Sequence, residues 1–230
     1  MKIKWGAFVV EGRGKSGGTV ASRNRAGSYF RNKVTPVNPA SVSQVAARDR
    51  LAGLSQGWRD LTAAQRDAWN QVVSDFAKTD IFGDLKNPTG FNLYQRLNNN
   101  LLVVNQSVIS DPPAAGDVEA FTSLSVSAES GTQSFALTFA PAISTGFSVK
   151  VFATAAQSAG KSFVKSEYRL IGVLTDADTS PVDFLTEYQA KFGDITATDS
   201  KIFVRLVQVN EATGQEGVGL EASAIITASV

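Results

Sequence analysis

The residues best suited to chemistry lie in a glycine-rich turn near the N-terminus. The run Gly12-Arg13-Gly14-Lys15-Ser16 ends in the Gly-Lys-Ser of a phosphate-binding P-loop and follows a predicted strand. A P-loop also needs a glycine at the position of Val9 and a helix that starts at the lysine, where Gly17 and Gly18 follow instead. We therefore interpret this run as a flexible basic turn and predict no nucleotide site.

A second candidate is an acidic segment in the C-terminal half. Asp176, Asp178, Ser180 and Glu187 occupy positions 1, 3, 5 and 12 of a possible calcium loop, but position 6, which must be glycine, is Pro181. The sequence has no histidine and no cysteine, which removes imidazole bases, thiolate nucleophiles and nearly every transition-metal site. No pattern places two carboxylates in one cleft. The sequence therefore predicts no catalytic residue, no cofactor, no metal and no enzyme activity.

The third group is a set of cations interleaved with aromatic residues in the first 35 positions. Residues 1–35 carry eight cations and one anion, a net charge of +7, whereas residues 111–230 carry seven cations and fourteen anions, a net charge of −7. Cations pair with an acidic surface and aromatic side chains fill its pockets, so we predict that this segment contacts another subunit. The predicted contact residues are Trp5, Arg13, Lys15, Arg23, Arg25, Tyr29, Phe30, Arg31 and Lys33.

The charges suggest that copies pair head to tail, with the basic segment of one on the acidic region of the next. Two other arrangements satisfy the same charges: the basic segment can pair with the acidic half of its own chain, or it can reach phosphate groups. Cations mixed with aromatic residues also occur in single-stranded nucleic-acid binders. The sequence shows no stacking platform beside them, so nucleic acid is the less favoured partner.

The elements that carry these residues divide the chain into an arm, a helical unit, a linker and a strand-rich domain. Residues 1–35 are predicted to form an extended basic arm, with a strand over residues 2–10 and a second extended piece from Thr19 to Val34. Glycine spacing and a shortage of apolar residues leave this arm without a core of its own. A partner surface is therefore expected to order it.

Residues 36–110 are predicted to form a small unit of three helices. The first helix has Asn38 as its N-cap and ends near Leu61. Thr62 and Gln65 form a capping box for the second helix. The third helix follows the break at residues 87–90 and ends near residue 105. Two tryptophans, Trp58 and Trp69, flank the first turn and are predicted core residues.

Residues 111–116, with sequence Asp-Pro-Pro-Ala-Ala-Gly, are predicted to form a stiff linker. Residues 117–230 then show six alternating apolar runs separated by turn residues, which predict an antiparallel β-sandwich of immunoglobulin or fibronectin type III character. Asp183 is predicted to cap a short helix between two of these strands. The predicted class is α+β, with an extended arm, a three-helix unit and a sandwich.

The stretch from Gly17 to Asn70 combines three short motifs. They are an approximate Arg-x-x-Gly-x-Tyr-x-Arg at Arg25, Tyr29 and Arg31, a Pro-x-Asn-Pro at Pro36, Asn38 and Pro39, and a Trp-x-x-Leu-Thr-x-x-x-Arg-x-x-Trp at Trp58, Leu61, Thr62, Arg66 and Trp69. In this combination the chain resembles a group of largely uncharacterised proteins encoded in tailed-bacteriophage genomes and prophages. The resemblance covers about a quarter of the chain. It implies a structural role in the virion and transfers no catalytic residue.

The residues and the resemblance predict the same class of function, a bacteriophage virion structural protein assembled in the bacterial host cytoplasm. We favour a capsid-associated decoration or minor head protein that attaches through its arm to major capsid or tail proteins, with further copies of itself in the particle. A tail or head–tail connector component and a module that binds a host glycan or receptor are the alternatives. No apolar run approaches a membrane span, and the run from Phe8 to Val10 is too short for a signal peptide, so we expect a soluble chain without a membrane partner.

Overall fold

The computed structural model describes residues 1–4, 6 and 11–228, and this part of the chain combines helices with antiparallel sheets. The helices are α1 (Val42–Asp60), α2 (Ala63–Gln71), α3 (Gly90–Val103) and α4 (Leu185–Phe192). The strands are β1 (Gly14–Ser16), β2 (Thr19–Asn24), β3 (Gly27–Asn32), β4 (Lys78–Thr79), β5 (Leu85–Lys86), β6 (Ser123–Glu129), β7 (Ser134–Ala140), β8 (Phe147–Ala153), β9 (Arg169–Leu174), β10 (Val182–Asp183), β11 (Lys201–Asn210) and β12 (Leu220–Ile225). The predicted mixture of helix and sheet is confirmed.

The basic N-terminal segment is a small antiparallel sheet in the order β1-β2-β3. The expectation of one continuous extended piece from residue 19 to residue 34 is therefore wrong, because the chain reverses between β2 and β3. Asn24 Oδ1 accepts the N–H of Ala26 at 2.9 Å, and Gly27 has φ +108°, a value that residues with a Cβ rarely adopt. Of the strand predicted over residues 2–10, Lys2 pairs with Tyr29, whereas residues 5 and 7–10 lie outside the described residues.

The first helix starts later than the sequence suggests. Its N-cap is Ser41, and Val42 is the first helical residue, so the prediction of Asn38 as N-cap is wrong. Ala40 has φ +48°, a left-handed conformation that a right-handed helix cannot contain, so the helix begins after Ala40. Asn38 instead accepts a hydrogen bond from Arg48 at 2.6 Å through its side-chain oxygen.

The helical unit packs around the turn between α1 and α2, as predicted. The Thr62 hydroxyl accepts the N–H of Gln65, and the Gln65 side chain accepts the N–H of Thr62, which confirms the capping box. Trp69 is fully buried, and its ring meets that of Tyr94 edge-on at a centroid distance of 5.4 Å. Trp58 packs against the same cluster from its edge. A two-strand hairpin of β4 and β5 joins α2 to α3.

Two antiparallel sheets of the C-terminal half enclose a second core. One sheet has the order β10-β7-β6 and the other β12-β11-β8-β9, so all six predicted runs are strands and β10 is an addition. Alternate residues of β7, β8 and β11 point into the shared core, which explains their period of two. The N-cap of α4 is Phe184, so the prediction of Asp183 as its cap is wrong, although Asp183 Oδ1 accepts the N–H of Leu185 at 3.0 Å from the end of β10.

The linker and α3 join the helical unit to the strand-rich half. The Gln215 side chain donates to the carbonyl of Ala114 at 2.6 Å and accepts the N–H of Gly116 at 2.9 Å. Asn100 of α3 donates to the carbonyl of Gly214 at 2.9 Å, in the turn that leads from β11 to β12. The linker has no regular secondary structure but is held at Ala114 and Gly116 by these two hydrogen bonds. Helix α3 therefore contacts the strand-rich half at the turn between β11 and β12.

Candidate interaction site

The N-terminal quarter of the chain lacks a buried core. Among the described residues, none before Leu54 is buried, although residues 14–32 form a complete three-strand sheet. Hydrogen bonds alone hold a small sheet poorly in water, because three strands normally need a hydrophobic face to be stable. The N-terminal region therefore presents surface rather than a core.

One face of the N-terminal sheet brings together several of the predicted contact residues. Lys15 lies opposite Val20, which in turn lies opposite Arg31, so the three side chains form a row across the sheet. Tyr29 is two residues before Arg31 on β3 and lies on the same face, opposite Ser22. Lys15 and Arg31 are exposed and Tyr29 is half-buried. Among the described residues, neither cation makes an ion pair.

The remaining predicted residues do not share this face. Arg13 and Arg23 both pair with Glu11, at 2.5 Å and 3.3 Å, and the hydrogen bond from Arg13 holds the pKa of Glu11 below its usual value. Phe30 lies opposite Ala21 on the other face and is half-buried. The predicted contacts therefore divide between the two faces of the sheet. Lys33 is exposed just after β3, Arg25 lies in the β2–β3 turn, and Trp5 lies outside the described residues.

The N-terminus ties the sheet to the helical unit through two ion pairs. Lys2 lies 3.3 Å from Asp80, and Lys4 lies 3.1 Å from Asp84 and above the ring of Phe82. Burial raises the pKa of Asp80, but the N–H groups of Phe82 and Asp84 and the ammonium of Lys2 more than offset this, so its pKa lies below the usual range. Part of the order of the basic segment therefore comes from its own chain.

An exposed apolar stretch connects the sheet to the helical core. Residues 33–46 are all exposed, and they include Val34, Val37, Val42 and Val45. Val42 is 88% exposed and Val37 is 84% exposed, which is unusual for several neighbouring valines. Leu51, one turn before the first buried residue, is also exposed. The first half of α1 therefore projects from the body and offers apolar side chains to solvent.

A basic groove lies between the N-terminal sheet and the helical unit. It has a volume of about 540 Å³ and is lined by four cations, Arg25 from the β2–β3 turn, Lys78 from β4, Lys86 from β5 and Arg96 from α3. The guanidinium of Arg96 lies 5.9 Å above the ring of Phe76, and burial lowers the pKa of Arg96. Of these four, only Arg25 was a candidate on the sequence alone. Lys78, Lys86 and Arg96 lie 8–71 positions in sequence from one another and from Arg25. No spacing pattern in the sequence therefore groups the four cations.

A second groove, of about 500 Å³, lies on the outer face of the four-strand sheet. Its lining includes Phe163, which is 75% exposed, together with Tyr168, Phe203, Arg205 and Glu221. The Tyr168 hydroxyl makes no hydrogen bond within the described part of the chain, and burial raises its pKa to about 12, with Glu221 contributing through its charge. Aromatic rings and a charged pair thus meet in one groove.

The two segments with partial chemical motifs have structural roles. Gly14–Ser16 is strand β1, so no helix starts at Lys15 as a P-loop requires. In the acidic segment, Asp178 accepts hydrogen bonds from the backbone and hydroxyl of Thr175, and Ser180 accepts the N–H of Phe139. Within residues 1–4, 6 and 11–228 no three acidic side chains cluster as metal ligands would, and no helix has the length and apolar character to cross a bilayer.

Comparison with known proteins returns no relative. No family model matches the sequence, no curated protein is significantly similar to it, and no solved structure matches its fold. Its function is therefore inferred from its own surfaces.

Proposed function

We propose that this chain is a structural protein of a tailed-bacteriophage virion that attaches to the particle through its N-terminal region. The favoured position is on the capsid, as a decoration or minor head protein, beside major capsid proteins and further copies of itself. The two facing sheets then form an immunoglobulin-like or fibronectin-like sandwich on the outside. A position in the tail or in the head–tail connector is the alternative.

The observation that carries this proposal is the absence of any buried side chain among the described residues before Leu54. A folded chain seldom leaves so long a region without a core unless a partner covers it, because ordering the backbone costs about 1–2 kcal/mol per residue. Exposed valines at residues 34, 37, 42 and 45 supply apolar contact area beside the basic sheet. The motifs of the phage resemblance fall in this same region.

Charge suggests how the contact is made. Lys15 and Arg31 face outward from one side of the N-terminal sheet, while residues 111–230 carry a net charge of −7. An acidic surface on a neighbouring subunit is therefore the complementary partner, and a second copy of this chain offers one. Such a contact steers association at low ionic strength and weakens as salt is added.

Removal of residues 1–35 tests the proposal. Both hydrophobic clusters lie at or beyond Leu54, so the truncated chain is expected to fold and stay soluble but to be absent from purified particles. Either the full chain or the truncated chain is supplied during phage growth, and the purified particles are analysed by mass spectrometry and immunogold labelling. With the full chain, gold on capsids supports the favoured position, and gold on tails supports the tail or connector alternative. Normal incorporation of the truncated chain would overturn the proposal.

A double substitution tests the contribution of charge to attachment without removing any part of the fold. Lys15→Gln combined with Arg31→Gln removes two outward cations without touching a core, and we expect reduced incorporation. Arg59→Gln combined with Lys191→Gln removes two exposed cations elsewhere and is the matched control. Equal incorporation of the two double variants would contradict attachment through the basic sheet.

The groove on the four-strand sheet favours a second candidate function, binding of a host glycan or receptor. Exposed Phe163 and partly buried Tyr168 offer faces for a sugar ring, and Arg205 and Glu221 offer hydrogen bonds to its hydroxyl groups. A glycan array with the intact chain and with Phe163→Ala tests this. Hits that disappear in the variant support it, and an array without hits at high protein concentration excludes glycans.

A further inference from the structure

The groove between the N-terminal sheet and the helical unit concentrates positive charge. Its four cations come from four different elements, namely the β2–β3 turn, β4, β5 and α3. No aspartate or glutamate among the described residues lines the groove, and the other polar residues at its edge are asparagine and threonine. A cavity of about 540 Å³ is within the usual size range for ligand sites.

Most of these cations lack a charged partner. Within the described residues, Arg25, Lys78 and Arg96 make no ion pair, and Lys86 lies 3.8 Å from Asp84, which is shared with Lys4 at 3.1 Å. Like charges held close together repel one another, and the repulsion is stronger where protein displaces water. Arg96 is partly buried against Phe76, and this burial lowers its pKa while the charge of Glu216 partly offsets the effect. An anion in the groove would relieve that repulsion.

The density of charge favours a phosphate group over a carboxylate. A phosphate monoester carries a charge of about −1.5 to −2 at neutral pH with three strong acceptor oxygens. A carboxylate carries one charge and two oxygens. Four cations around one cavity are better neutralised by phosphate, and the planar guanidinium groups of Arg25 and Arg96 are suited to paired hydrogen bonds with its oxygens.

Helix α3 adds a weaker contribution, since Thr89 and Asn92 at its first turn also line the groove. The N–H of Asn92 is taken by the Thr89 hydroxyl and that of Gly90 by the Asn70 side chain. The helix therefore contributes through the positive end of its dipole rather than through these two donors.

We propose that this groove binds phosphate groups, either those of a nucleic-acid backbone or that of a small phosphate compound. Arg25 and Lys78, which are exposed, and Lys86 and Arg96, which are partly buried, together hold the phosphate. This inference does not depend on the proposed place in the virion. A protein that fails to join particles can still bind phosphate here, and the reverse also holds.

The test uses the full chain and two kinds of probe. Fluorescence anisotropy follows a labelled short single strand of DNA, and isothermal titration calorimetry follows inorganic pyrophosphate. Arg25→Gln combined with Lys78→Gln removes two exposed cations of the groove, and we expect affinity to fall about a hundredfold. The slope of log affinity against log salt for the single strand should fall by about 1.4. Arg59→Gln combined with Lys191→Gln is the matched control, because neither residue lines the groove.

The outcomes separate the two sources of phosphate. DNA binding that is lost in the groove variant assigns the site to a nucleic-acid backbone. Pyrophosphate binding without DNA binding, again lost in the variant, assigns it to a small phosphate compound. Equal affinity of the groove variant and its control would overturn the proposal. Competition by polyglutamate as effective as that by pyrophosphate would overturn it in favour of an acidic protein partner.

Discussion

Substitution of Gly214 by alanine tests how the two halves of the molecule are joined. Gly214 has φ +69°, and a Cβ placed on it would lie 2.2 Å from the carbonyl oxygen of Leu97 and 3.1 Å from Cγ of Leu101, both in α3. The helix backbone cannot yield without moving the whole helical unit. The variant should therefore weaken the contact between α3 and the turn before β12, including the hydrogen bond from Asn100.

The expected loss follows from two terms. A left-handed alanine costs about 1–2 kcal/mol, and forcing an extra methyl group into a packed contact costs about 1–3 kcal/mol. The free energy of unfolding should fall by about 2–4 kcal/mol, because part of the strain relaxes. For a chain of this size Tm falls by about 2–4 °C per kcal/mol, so a decrease of about 5–15 °C is expected.

Gly146→Ala provides the matched control. Gly146 has φ +84°, but a methyl group added there would meet no atom within 4 Å, so this variant carries the backbone term alone. Thermal unfolding followed by circular dichroism measures both variants, and limited proteolysis at residues 111–116 reports whether the linker is released. If both variants lower Tm equally and leave the linker equally protected, α3 is not held by this contact and the reasoning fails.

Three further predictions concern single groups. Thr62→Ala should lower the free energy of unfolding by about 1 kcal/mol, measured by urea titration, because the capping box of α2 is lost. The depressed pKa of Asp80 means that its stabilising effect is present above the ordinary carboxyl pKa and is lost as pH falls through the lower folded value. Amide exchange in β3 should therefore accelerate below about pH 4, and Asp80→Asn should remove that dependence. The pKa values of Tyr168 and Tyr188 are raised to about 12, Tyr188 by burial, so absorbance near 295 nm should show these two ionising only at strongly alkaline pH. Since the native state favours their protonated form, stability should decline above about pH 10.

The helical unit and the strands could be predicted from the sequence because their signals depend on residues close together in the chain. Thr62 and Gln65 are three residues apart, so the capping box depends on nothing beyond one turn of chain. The six alternating runs became strands because one face of each meets the shared core. The boundary of α1 was missed, because the left-handed conformation of Ala40 has no signal in residue type.

The basic segment shows where sequence reasoning stopped short. Its cations and its lack of apolar residues were visible, and the structure agrees that none of its described residues is buried. The reversal between Asn24 and Gly27 differs from the predicted extended arm, because the arginines and aromatic residues around it carry no clear turn preference. Asn24 lies three residues before Gly27, and an asparagine followed by a glycine at this spacing is a turn signal in the sequence itself.

The amino-acid sequence by itself determined the charge separation, the capped helices and the alternating strands, because each depends on composition or on residues within one turn or one strand. The tertiary structure alone decided that Arg25 meets Lys78, Lys86 and Arg96 in one groove, and that Gly214 fits against α3. Both involve residues far apart in the chain, whose distance is set by how the sheets and helices pack. No local pattern encodes that distance.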